Sequence, residues 1–375
     1  MGAIQRTFPT GGAVPTEDLV DRDAIVEEML LRTYAHGNSL ILSSPRQTGK
    51  TSVAYELLRR VREAGGLGVY IDCSRTDGDE HELAEMVARA TYDQIAGSKG
   101  AFARLRGFMG AMPKPALMQG DLDLALMFFG SAPETPRALL EKALTLADEI
   151  AAQKGKRVVV VYDEFQILGK VSPTIFNPIR AALQHAMGNA AYVFMGSEVG
   201  LLDELFKNPA NMPFGLATPV TLRQPDPEAW KNYIEARFME FRSPLRPGEA
   251  EELIAFAGGY PRDLMEVCEQ LLLIRAISPR SDGAALGLAQ ENTLRSLRSR
   301  FDEVWKRIEK PSGTQITATR IALGRPVYDD RKRTHASVAR SIEAMERAGV
   351  IRRTGRGAYE FCEPLFGRYV RDLSA

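Results

Sequence analysis

Two stretches of this sequence carry side chains whose types and order suit a chain of phosphates with a divalent cation. The first is Ser44-Pro-Arg-Gln-Thr-Gly-Lys-Thr51, which matches a glycine, four residues, then Gly-Lys-Ser/Thr, with Ser44 in place of the first glycine. Consecutive backbone N–H groups at a helix start can wrap a β-phosphate, and the helix dipole favours the negative charge there. Gly49 lets the backbone approach closely, Lys50 sets an ammonium against the β- and γ-phosphates, and the Thr51 hydroxyl is a ligand for Mg2+. Pro45, Arg46, Gln47, Thr48 and Ser52 complete the turn and are expected to line the same nucleotide.

The second stretch is Val158-Val-Val-Val-Tyr-Asp-Glu-Phe-Gln166, an apolar strand ending abruptly in two acids. Adjacent carboxylates at the C-terminal end of a parallel strand stand where such sheets bind ligands. Asp163 is expected to hold Mg2+ through its water shell, and Glu164 to orient and deprotonate an attacking water. A third apolar run, 191–196, ends in Ser197-Glu198, and Ser197 is placed to hold the lytic water or a γ-phosphate oxygen. The ligands read from these residues are ATP or ADP with Mg2+.

Residues so far apart meet only if a sheet gathers their strand ends. Apolar runs at 39–42, 68–72, 157–162, 191–195 and 219–222 are mostly separated by helical periodicity, as in Val53, Ala54, Leu57, Leu58 and Val61 on one face. Strands alternating with helices imply an α/β class with a parallel five-stranded sheet covered on both sides. A helix is expected over about 22–36, ahead of the first strand. In 101–133, Leu122, Leu124, Leu126 and Phe128 alternate with other residues, which suggests an inserted hairpin, its methionines suited to packing. After 224 the strand signals stop. Residues 225–284 read as a small helical unit opening at Pro225-Asp-Pro-Glu228. Residues 285–375 read as three helices, a hairpin around Thr354-Gly-Arg-Gly357 and a last helix from Leu365, the winged-helix order. The division is thus 1–224, 225–284 and 285–375.

Lys plus Arg and Asp plus Glu balance at 48 each, so no global charge announces a nucleic acid or a membrane. Locally, residues 290–375 carry 18 Lys and Arg against 11 Asp and Glu, a net of +7, leaving 30 against 37 in the rest. In a helix over about 334–348, Val338, Ile342 and Met345 share an inward face, while Arg333, Ser337, Arg340 and Ser341 are expected outward. Arg352, Arg353 and Arg356 add a basic hairpin. Arginines in a row on such a unit are suited to phosphates and grooves of double-stranded DNA; docking to a protein partner stays open. Cys73, Cys268 and Cys362 lack metal-ligand spacing and read as isolated thiols in a reducing compartment. No early segment has signal-peptide character and the apolar run 158–161 is too short to cross a bilayer, so a cytoplasmic protein without a membrane partner is expected.

Read in order, Leu19-Val-Asp-Arg-Asp23, Ser44 to Thr51, Asp163-Glu-Phe-Gln166, Gly196-Ser197, Gly258-Gly-Tyr-Pro-Arg262 and Glu363-Pro-Leu-Phe366 resemble the AAA+ ATPases. Within them, the likeness is to archaeal-type ATPases related to origin-recognition initiators and the STAND group, and it spans nearly the whole chain. It implies a sheet in the order 5-1-4-3-2, a helical lid and a trailing winged helix. It also implies Val20, Asp21 and Arg22 near the adenine, Ser197 as sensor 1, Arg262 in the lid as sensor 2, and Tyr260 either against the base or in the lid core. One departure stands out: Pro213-Phe-Gly-Leu216 has leucine where members often carry an arginine finger serving a neighbouring subunit. A missing finger costs about three to five orders of magnitude in rate. Either another basic residue substitutes, with Lys207 and Arg223 nearest, or a protein partner supplies one, or hydrolysis is slow. Two functions follow: an ATP-hydrolysing DNA-binding protein, working singly or as a homo-oligomer, or a slow or inactive ATPase acting as a nucleotide-gated regulator or scaffold that uses the winged helix for protein contacts.

Overall fold

A computed structural model describes residues 8–45, 47–76, 79–95, 135–172, 175–185, 188–197, 217–277, 283–310, 312–328 and 334–374. Arg46, the expected hairpin over 101–133, Lys207, Leu216 and Arg333 lie outside the described residues.

The central sheet is built from β1 (Ser39–Ser43), β2 (Leu67–Asp72), β3 (Val158–Asp163), β4 (Ala190–Gly196) and β5 (Ala217–Thr221). The strands lie in the order β5-β1-β4-β3-β2, each pair parallel, as the resemblance implied. Helix α1 (Asp23–Leu30) precedes β1 and passes into a wider π turn at Leu31–Ala35, so the helix expected over 22–36 is α-helical for only part of that length. α2 (Lys50–Glu63) follows β1; α3 (Glu80–Ile95) and α4 (Pro136–Gln153) fall between β2 and β3; α5 (Phe176–His185) leads to β4.

Alternation along the strands divides the interior into two layers. Val158, Val160 and Tyr162 of β3 pack with Leu83, Val87 and Ile150, whereas Val159 and Val161 pack with Leu57, Leu58 and Val61. A strand buried on both faces has no polar side to show, which accounts for the unbroken apolar run ahead of Asp163. β5 begins at Ala217, two residues before its apolar run, and is mostly exposed at the sheet edge. Pro219, which lacks an N–H, is tolerated there. Because Ser43 is in register with Gly196, the loops leaving β1 and β4 start side by side, and the Ser44 N–H donates to the Gly196 carbonyl at 3.4 Å.

Beyond the sheet, α6 (Pro227–Glu240), α7 (Glu249–Ala257) and α8 (Pro261–Ile277) enclose a second core of Trp230, Ile234, Phe238, Leu253, Leu264 and Leu271. Asp226 caps α6, its carboxylate accepting the Glu228 N–H, with Pro227 at the first helical position. Phe8 inserts into this core and is fully buried, so the segment after it runs as a strap from the lid back to the sheet.

The last unit is α9 (Ala285–Arg307), α10 (Thr314–Ala322), α11 (His335–Arg347), the antiparallel pair β6 (Ile351–Gly355) and β7 (Ala358–Phe361), and α12 (Pro364–Asp372). Three helices, a hairpin and a helix is the winged-helix order, closed around Phe301, Val338, Ile342, Met345 and Phe366. Thr334 caps α11 by accepting the Ser337 N–H. Ser341 corrects the expected outward face: it is buried, its hydroxyl satisfied by the Ser337 carbonyl one turn back. Among the described residues, no helix is long and apolar enough to cross a membrane.

Candidate active site

The turn between β1 and α2 is held by its own side chains. Ser44, standing where a glycine was expected, is buried and donates from its hydroxyl to Thr48 Oγ1 at 2.8 Å, which in turn donates to the Pro45 carbonyl at 2.9 Å. A serine here therefore closes the loop that a glycine would leave slack. Gln47 and Gly49 both have left-handed backbone, φ +64° and +92°, and open space surrounds the place where a Cβ on Gly49 would stand. Lys50 Nζ curls over the loop, donating to the Ser44 and Pro45 carbonyls at 2.7 and 2.9 Å. The oxygen-rich interior of the turn thus already carries an ammonium.

The acids reach the turn from β3. Thr51 Oγ1 donates to Asp163 Oδ2 at 2.9 Å, and Tyr70 of β2 donates its phenol to the same oxygen at 2.5 Å. Burial, followed by the Asp163 charge, pushes the Tyr70 phenol far above its ordinary range, so it stays a donor. Glu164 leaves the strand in left-handed backbone, φ +50°. Its Oε2 accepts from Ser197 Oγ at 2.8 Å and Gln166 Nε2 at 2.6 Å. Ser197 is thus beside the acid strand, as its place at the end of β4 suggested, and its hydroxyl is directed to the Glu164 carboxylate.

The turn and Glu164 open on a cavity of about 550 Å3, a size usual for a small-molecule site. Gln47, Thr48, Gly49, Lys50, Thr51 and Ser52 form its floor, and Glu164 stands at one side. Val20 and Arg22 line it from before α1. Arg22 is buried and donates to the Thr48 carbonyl at 3.3 Å; burial lowers its pKa to about 10, which leaves it charged at neutral pH. Asp21 does not line the cavity: its carboxylate accepts the Asp226 N–H at 2.9 Å, tying this segment to the start of the lid. The strap forms another wall, Val14 N–H donating to Ser52 Oγ at 3.1 Å. From the lid come Trp230, Arg262 and Met265. Tyr260 is elsewhere, buried where the lid meets the last unit, near Cys362 and Glu363.

Trp230, Met265, Tyr70 and Arg300 belong to this site with no motif to mark them in the sequence. Tyr70 carried no motif; only the β2–β3 pairing brings it beside Asp163. Arg300, on α9, enters the same cavity, donates to the Gln47 side chain, and pairs with Asp263 and Glu363 at 3.3 and 3.2 Å. A lone arginine in a charged helix gives no sign of this. The arginines singled out on α11 and the hairpin lie on the surface: Arg340, Arg352, Arg353 and Arg356 are exposed, and Arg352 pairs with Glu360 across the hairpin.

No protein-family model matches the chain, and no curated protein sequence matches it. Solved structures do. The Walker-type ATPase of Pyrococcus abyssi is similar at a TM-score of 0.72 and 18% identity, over 98% of this chain and 100% of that one. The ORC2 protein of Aeropyrum pernix, in ADPNP–ADP complexes, is similar at 0.61 and 13%, over 99% and 98%. The ORC1 protein of Aeropyrum pernix, in complex with DNA, is similar at 0.50 and 15%, over 94% and 92%. The chain therefore has the P-loop fold of the AAA+ type, shared along nearly its whole length with archaeal proteins of the Walker-type and ORC groups.

Proposed function

We propose that the protein binds MgATP in this cavity and hydrolyses it, and that the nucleotide state controls a winged helix that binds double-stranded DNA. The observation that carries this reading is the Thr51–Asp163 hydrogen bond, which joins positions 112 apart beside Lys50 with Glu164 on the same cavity. A hydroxyl and a carboxylate side by side are the oxygen donors that a magnesium ion on a triphosphate requires. The left-handed Gly49, with open space around it, fits the close approach of a phosphate.

In this reading Thr51 and Asp163 hold the Mg2+, which when bound offsets charge on the β- and γ-phosphates. Lys50 and Arg262 face the phosphate chain, and Arg22 keeps the turn in shape from behind. Glu164, aimed by Ser197 and Gln166, takes the proton of the attacking water. Val20, Trp230 and Met265 offer the apolar walls a base needs. Support for DNA is the net charge of +7 after position 290 and the exposed Arg340, Arg353 and Arg356. A protein of the same fold, ORC1 of Aeropyrum pernix, was solved in complex with DNA. Three buried thiols suit a reducing, cytoplasmic setting.

The test is the ATPase rate against protein concentration, with and without duplex DNA. A rate that climbs with concentration indicates that a homo-oligomer completes the site. Lys50→Ala is expected to abolish nucleotide uptake in calorimetry, and paired Arg340→Glu and Arg353→Glu to abolish a salt-sensitive DNA shift. No heat with either MgATP or MgADP would remove the proposal.

The docked last unit also favours a second reading, a slow ATPase that acts as a nucleotide-gated regulator and grips a protein partner. Its Arg300 reaches the phosphate turn and its Gly349 lies against the Ser197 carbonyl, so turnover and release of this unit would be coupled. Rapid multiple-turnover hydrolysis by the isolated monomer would exclude it.

A further inference from the structure

Arg300 is the single cation that the last unit brings to the phosphate turn among the described residues lining the cavity. It comes from the middle of α9, 253 positions after its partner Gln47. Its other partners are Asp263 in the first turn of the lid helix α8, directly after Arg262, and, within its own unit, Glu363 at the cap of α12. One guanidinium therefore joins the turn, the lid and the last unit. Its guanidinium also lies over the neighbouring Phe301 ring, 4.9 Å from the centroid.

This junction has a donor to spare. Asp263 is fully buried and holds the guanidinium from the lid side. Arg300 Nε is buried with no hydrogen-bond partner among the described residues. A guanidinium presents five donors in a rigid fork that matches phosphate oxygens, and its contact with the turn itself is to a neutral amide. An added phosphate oxygen at that end would meet a donor already oriented and supported by two acids.

Resting on the MgATP reading above, we infer that Arg300 is the residue that distinguishes a nucleoside triphosphate from a diphosphate, contacting the terminal phosphate in the same chain and drawing α9 onto the phosphate turn. ADP leaves it with Gln47, Asp263 and Glu363. Bound ATP adds an anionic acceptor on the same fork, so the last unit is held more firmly in the triphosphate state. Arg262 remains the lid's contribution; Arg300 adds one from the unit beyond.

The experiment is calorimetry of the full chain with MgADP and with the Mg2+ complex of the β,γ-imido analogue of ATP. Wild type, Arg300→Met and the double variant Arg300→Met, Asp263→Asn are compared; the double variant strands no buried carboxylate. The expected result is that both variants lose about 10-fold to 100-fold in affinity for the analogue, the span of a hydrogen bond to a charged group, with MgADP affinity changed less than about 2-fold. Arg300→Lys, which keeps charge but not the fork, should lie between. If the ratio of the two affinities is the same in wild type and in the double variant, the inference fails although nucleotide binding stands. If wild type takes up neither nucleotide, the MgATP reading itself fails.

Discussion

Glu164 occupies left-handed backbone that a residue with a side chain adopts at a cost of about 1–3 kcal/mol, and such strain gathers where a group must be aimed. Here it turns the carboxylate off the end of β3 toward Ser197 and Gln166. Glu164→Gln is expected to keep nucleotide binding and to slow turnover about 10²-fold to 10⁴-fold, the usual worth of a positioned base, as read from steady-state and binding assays side by side. Ser197→Ala should cost less, about 10-fold in kcat, since Gln166 still donates to the same oxygen. Tyr70 acts one step further out, by holding Asp163. Tyr70→Phe keeps the ring stacked on Tyr55 and removes only the donor. The Mg2+ concentration giving half-maximal rate should rise about 10-fold while Mg2+-free nucleotide affinity is unchanged.

At the scale of elements, α2 is the piece on which the site is assembled, and Glu56 within it binds three segments together. Its carboxylate accepts from Thr16 of the strap at 2.8 Å, and from Arg59 and Arg60. Arg60 also pairs with Asp23 of α1. The Arg59 hydrogen bond above all, with those from Arg60 and Thr16, holds the Glu56 carboxyl down at about 2 from its ordinary 4.5. A depressed carboxylate stabilises the fold fully above its unfolded pKa and loses that effect as pH falls through the folded value. Glu56→Gln should therefore cost about 1–3 kcal/mol at neutral pH. In denaturant titrations the gap between wild type and variant should narrow below pH 4.5 and close near pH 2. What was legible here follows the same logic of locality. The phosphate turn and β3 announce themselves because a few adjacent residues must satisfy a steep local demand, and the strand ends follow from them. Asp21, Tyr260, Ser341 and Arg300 read less well, since each is placed by a partner far away in sequence or, for Ser341, by a hydroxyl satisfied within its own helix.

On the scale of the whole molecule, the question is what holds the last unit against the rest. Gly349, in left-handed backbone, lies where a Cβ would meet the Ser197 carbonyl at 3.1 Å, and the Arg368 guanidinium lies over the Phe256 ring at 5.4 Å. The tightest approach is at the end of α7, where a Cβ on Gly258 would stand 2.5 Å from Pro364 Cγ, a ring that cannot swing aside. α7 supplies its own control, because glycines in left-handed backbone flank it at both ends, and around Gly248 the space is open. Gly248→Ala and Gly258→Ala should share a backbone cost of about 1–2 kcal/mol. Only Gly258→Ala also forces α12 away from the lid, adding about 1–3 kcal/mol of overpacking. The expected outcome is a larger loss of stability for Gly258→Ala, with a larger radius of gyration in solution scattering. Equal losses and equal radii would mean that lid and last unit are not joined at this contact, and that the hold on the nucleotide site comes from the contacts of α9 and Gly349 instead.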